Sequence, residues 1–168
     1  MAQITIEYMI MVPLLIMQIF LLPMTVGWIM TMWTESRQTL ALREVAGYIG
    51  SSVHQLYSAL SHESIAISNG TQGNSTVCID MAVPVFIEGY VYEANATLRE
   101  TSEASAESSK ILDITVKFVD SDVQATASVT LGSDVKWESS KFVSNSPTAR
   151  LVATKSAENN TILMRFMG

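Results

Sequence analysis

The side chains of this chain that could do chemistry are few and far apart. Glu7 is the only charged residue before position 35, and it stands at the entrance of a long apolar run. An acid on such a segment costs about 2.5–3.5 kcal/mol at a bilayer centre and is presumptively functional. It calls for a cation, yet no Lys or Arg precedes Arg37. The nearest positive group is therefore an α-amino terminus, either its own or a neighbouring copy's. His54 and His62 are the only histidines; on a helix they fall on nearly the same side but about 12 Å apart, too far to share a metal. Asp113, Asp120 and Asp122 lack the dense spacing and the glycine of a calcium loop, so they read as solvated strand and turn carboxylates. Cys78, the single cysteine, lies in the apolar run Val77-Cys78-Ile79 and reads as a buried thiol behaving as a small hydrophobe. No nucleophile elbow, phosphate-cradling glycine loop or metal-spaced Cys/His set occurs, so neither an enzyme nor a metal or cofactor is expected.

The elements around these residues are far more distinctive. Residues 8 to 33 carry no charge, and Gln18, Thr25 and Thr31 are their only ordinary polar residues. As a helix this run would be about 39 Å long, enough to cross a bilayer. It lacks the basic start and small-residue cleavage site of a secretory signal, so it is expected to stay with the mature protein. Pro13 and Pro23 fall inside it, each removing one backbone hydrogen bond, and are expected to kink it.

After Trp33 the chain becomes polar, with Leu42, Val45, Ile49, Val53, Leu56 and Leu60 recurring at steps of three and four. This is the helical period, one apolar stripe on a polar rod. The economical reading is one helix from about residue 4 to about residue 61, apolar all round in its first half and one-sided in its second. The one-sided half needs a single partner surface, which the rest of the chain can supply. A domain of about a hundred residues cannot bury the all-round half, so lipid or other copies must cover it.

From about residue 63 the period becomes two. Leu112, Ile114, Val116 and Phe118 alternate with polar residues, as do Val123, Ala125, Ala127, Val129 and Leu131, with a hairpin turn at Asp120-Ser121-Asp122. Further strands are expected near 64–68, 75–83, 86–98, 149–155 and 161–167, with exposed loops at 99–110 and 70–75. The fold class is α+β: a long N-terminal helix packed by its second half on an antiparallel sheet or sandwich. The organisation is 1–33 as membrane or filament-core half-helix, 34–61 as amphipathic half and 62–168 as an extracellular β-rich head.

The net charge of −6 excludes a nucleic-acid partner. Four Asn-x-Ser/Thr sequons begin at Asn69, Asn74, Asn95 and Asn159, all beyond the apolar run, and favour a glycosylated surface protein.

The stretch Gln3-Ile4-Thr5-Ile6-Glu7-Tyr8 and the aliphatic run after it resemble the class III signal peptides of archaeal type IV pilin-like proteins. Ile6 to Leu15 is also similar to the minor pilins of tight-adherence systems. The match covers about 25 residues. A looser similarity extends to Pro84-x-x-Ile87-x-Gly89-x-x-Tyr92, like a strand region of archaeal pilin-like heads. The resemblance implies cleavage by a prepilin peptidase between Ala2 and Gln3, which would make Glu7 the fifth residue. It further implies that Glu7 pairs with a neighbour's terminal amine and registers the helices as they leave the membrane for a filament core.

The implied function is a structural subunit of a homo-oligomeric surface filament serving adhesion. Such a subunit is membrane-inserted before assembly and is handled by the pilus machinery. The alternatives are a minor pilin or a single-pass anchored binding module that never polymerises. Arg37 and Arg43 after the span would by themselves favour the reverse orientation; the sequons and the pilin-like start place the head outside.

Overall fold

The computed structural model describes residues 2–61, 75–100, 109–156 and 159–168, with side chains from Tyr8 onward. Among the described residues one helix, α1 (Ala2–Ser61), is followed by eight strands: β1 (Ser75–Asp80), β2 (Tyr92–Glu100), β3 (Lys110–Phe118), β4 (Gln124–Leu131), β5 (Val135–Trp137), β6 (Lys141–Val143), β7 (Arg150–Lys155) and β8 (Ile162–Met167). The α+β class expected from periodicity is what the chain adopts. It divides into two compact units, Met1–Arg37 and Gln38–Gly168.

In the second unit the strands form two four-stranded sheets, in the orders β1-β7-β8-β5 and β4-β3-β2-β6. Every described pairing is antiparallel except β5–β8, which runs parallel from Val135↔Ile162 to Trp137↔Met164. Residues 138–140 carry the chain from one sheet to the other. The Glu138 N–H donates to the Met164 carbonyl, while Ser140 Oγ accepts from the Phe166 N–H.

The stripe read from the sequence is the helix face that packs. Leu42, Val45, Ala46, Ile49, Val53, Leu56 and Leu60 are all buried, in one cluster with Ala94, Leu112, Ile114, Val116, Phe118, Leu151, Ile162, Met164 and Phe166 from both sheets. Gly50 allows the close approach: a Cβ there would lie 2.9 Å from Val129 Cγ2. At the helix end, Lys155 Nζ donates to the Leu60 carbonyl at 2.9 Å and satisfies one of the carbonyls that a helix terminus leaves open.

Three expectations need correction. The strand placed at 86–98 starts only at Tyr92, because Ile87 and Tyr90 close a two-residue turn on Glu88 (φ 51°) and Gly89 (φ 87°), the positive-φ pair of a tight hairpin. Of the loop placed at 99–110, Arg99, Glu100 and Lys110 belong to strands, and 101–108 lie outside the described residues, as do 70–74 of the loop placed at 70–75. Cys78 is exposed, not buried: Val77 and Ile79 point inward, so alternation turns the residue between them to solvent. The strand expected at 64–68 lies outside the described residues.

Candidate functional site

In the first unit, residues 8 to 33 put their large apolar side chains on every side of α1. From Tyr8 to Trp33 these are between 47% and 78% exposed. Among the described residues it is the one helix long and apolar enough to cross a membrane. Two of its polar groups are satisfied locally, Thr25 Oγ1 donating to the Leu22 carbonyl at 2.9 Å and Thr31 Oγ1 to the Gly27 carbonyl at 3.0 Å. Helical backbone runs through Pro13 and Pro23. Proline has no N–H, so the carbonyls of Met9 and Ile19, four residues earlier, lose their helical donors.

Ala2, Gln3 and Glu7 belong by backbone to the first turns of α1; their side chains lie outside the described residues. Asn95 is exposed on the solvent face of β2, and Asn159 is exposed before β8. Asn69, Asn74 and His62 lie outside the described residues. His54 is exposed on α1 and borders a groove of about 400 Å³ between the helix and β4, in which it is the only ionisable lining group.

The solvent face of the β4-β3-β2-β6 sheet is held by ion pairs. Glu93 accepts from Lys117 at 2.9 Å and Lys141 at 3.4 Å. The hydrogen bond from Lys117 is the main cause holding its carboxyl below the usual range. Asp113 pairs with Arg99 and accepts from Ser128 Oγ at 2.6 Å, and these contacts, Arg99 first, lower its pKa too. Asp113 is thus part of the sheet surface and stands apart from the exposed turn residues Asp120 and Asp122. Among the described residues no group of three or more His, Cys, Asp or Glu side chains could hold a metal ion.

Sequence reasoning missed an exposed apolar group on the head: Val85, Phe86, Tyr90 and Val119. The Val119 N–H donates to the Val91 carbonyl, and the Tyr90 ring lies 5.6 Å from that of Phe118. The available signal was Gly89, which marks a turn that pushes its neighbours outward. No protein-family model, curated protein or solved structure matches the chain. The first unit is an uncovered apolar helix segment, and the second is a well-packed β-rich body.

Proposed function

We propose that this chain is a structural subunit of a type IV pilus-like surface filament of the archaeal kind. The apolar half of α1 is held first in a membrane and then against other copies in the filament core. The observation that carries the reading is the exposure of every large apolar side chain from Tyr8 to Trp33. Lipid tails and Leu, Ile or Met surfaces are equally apolar, so a helix of this kind exchanges one cover for the other at little hydrophobic cost. The ordered, ion-paired head would form the filament's outer surface, with adhesion as its role and Asn95 and Asn159 as accessible glycan sites. Glu7, the lone acid on the apolar helix, would pair with a neighbour's terminal amine, generated by a prepilin peptidase cutting between Ala2 and Gln3.

Glu7→Ala and Glu7→Leu test the proposal. Both variants should insert in membranes as the parent does and fail to enter filaments recovered by shearing and pelleting. Normal filament yield from either variant would overturn the role of Glu7. If instead the parent chain stays wholly in the detergent-soluble membrane fraction and nothing pellets without detergent, the second reading holds: an anchored surface module that binds through its head.

A further inference from the structure

The three ordinary polar residues of the apolar run differ in one respect. Thr25 and Thr31 spend their hydroxyl protons on their own helix, so neither needs anything from outside. Gln18 is exposed, and among the described residues its carboxamide meets no partner. That group offers two N–H donors and one carbonyl acceptor. Its neighbours along the chain are Met17 and Ile19, and on the next turns of the same face Leu14, Leu15, Leu21 and Leu22, all apolar and exposed. Gln18 lies about 15 Å along the helix from Tyr8, well inside the run, where lipid tails offer no donor or acceptor. One residue on, the Ile19 carbonyl has also lost its helical donor to Pro23. Two polar groups short of partners therefore sit at one level of an otherwise apolar helix.

We propose that Gln18 is the polar contact through which the apolar segments of two copies of this chain associate. One N–H of its carboxamide is donated to the carboxamide oxygen of Gln18 in the second copy, and the other to the Ile19 carbonyl there. A second copy is the occupant this chemistry selects. Inserted in the same direction, it presents the same donors and acceptor at the same depth, and a carboxamide is its own complement. On a helix apolar all round, packing alone distinguishes rotations and offsets weakly, so a single polar pair fixes which face meets which and at what level. The inference rests on the proposal that copies of this chain pack helix to helix.

The test uses the full chain, with donor and acceptor dyes attached through a maleimide to Cys78, the single cysteine and an exposed one. Labelled protein is reconstituted in phosphatidylcholine vesicles, and energy transfer is followed as the protein-to-lipid ratio rises. Gln18→Leu should insert normally and associate roughly threefold to thirtyfold more weakly than the parent. Thr25→Val, which removes a hydroxyl already satisfied within its helix, should match the parent. If the parent associates and Gln18→Leu associates equally well, or if Thr25→Val is weakened as much as Gln18→Leu, the role of Gln18 is overturned while the filament reading stands. If the parent shows no transfer that depends on its density in the bilayer, helix-to-helix packing fails and this inference fails with it.

Discussion

Tyr92 Oη donates a 2.5 Å hydrogen bond to the backbone carbonyl of Pro84, across the turn that separates them in sequence. The Tyr92 backbone is tied in as well. Its N–H donates to Ser144 Oγ and its carbonyl accepts from the Ser144 N–H, while Ser144 Oγ donates to the Val85 carbonyl. Ile87 is buried beneath the turn, and Gly89 supplies its positive φ. The spaced residues Pro84, Ile87, Gly89 and Tyr92 therefore act as one clamp on the segment before β2. Tyr92→Phe should cost about 1–3 kcal/mol in denaturant unfolding, because it leaves a poorly solvated carbonyl without its donor. An unchanged midpoint would show that the clamp holds without the hydroxyl.

The same residue sets an alkaline limit. Burial pushes the Tyr92 phenol from 10.0 up to about 12. The folded state thus favours the neutral phenol: its contribution is fully present below the unfolded value and is lost as pH rises from there through the folded one. On the order of 2 kcal/mol of stability should disappear across that window. Tyr92→Phe should flatten this part of the pH–stability curve and remove the last step of the phenolate absorbance titration.

What the sequence told in advance and what it hid follow from how much pattern each element carries. Leu42 to Leu60 spans five helical turns, so its six apolar positions predicted the packed face, and all six are buried. In β8, Ile162, Met164 and Phe166 are buried between exposed Leu163 and Arg165, as alternation required. By contrast β5 and β6 have three residues each, too few to show a period, and only tertiary contacts could reveal that β5 runs parallel to β8. Cys78 was misread by attending to the apolarity of its neighbours and not to their parity. The exposure of residues 8 to 33 was legible because no side of the run is polar. That Gln18 differs from Thr25 was not, since it depends on which side chain reaches its own helix backbone.

Cys78 offers a direct check of the corrected β1 orientation. Its thiol should react with a soluble maleimide or disulfide reagent under native conditions at a rate close to that in denaturant. Strong protection, with reaction only on unfolding, would put the side chain back in the core and shift the β1–β7 register by one residue.

Two glycines on one helix should respond oppositely to added bulk. Gly47 has nothing within 4 Å of a would-be Cβ, so Gly47→Ala should stabilise the head by about 0.5–1 kcal/mol through helix propensity. At Gly50 the same position meets Val129 Cγ2 at 2.9 Å, with Ile114 Cδ1 behind it at 3.8 Å. Gly50→Val should therefore cost about 1–3 kcal/mol by forcing the helix away from β4. Thermal unfolding of the two variants beside the parent decides it; equal shifts would mean that the helix does not approach the sheet at Gly50.

Covering the apolar run and folding the head are separable requirements, and truncation tells them apart. Every described residue of the buried cluster lies between Leu42 and Phe166. A chain starting at Gln38 therefore keeps the whole core and the Lys155 contact that ends the helix. The large apolar side chains described in the part it loses, from Tyr8 to Trp33, are all exposed. This shortened protein should stay monomeric in sedimentation without detergent and unfold cooperatively, while the full chain pellets or requires detergent. The helix of the shortened chain still has its stripe to bury, and packing of such a face supplies most of the stability of a helix in a protein. Aggregation of the truncated chain, or a water-soluble monomer from the full one, would each contradict the separation: the first because the head would need the apolar segment, the second because that segment would have found cover within its own chain.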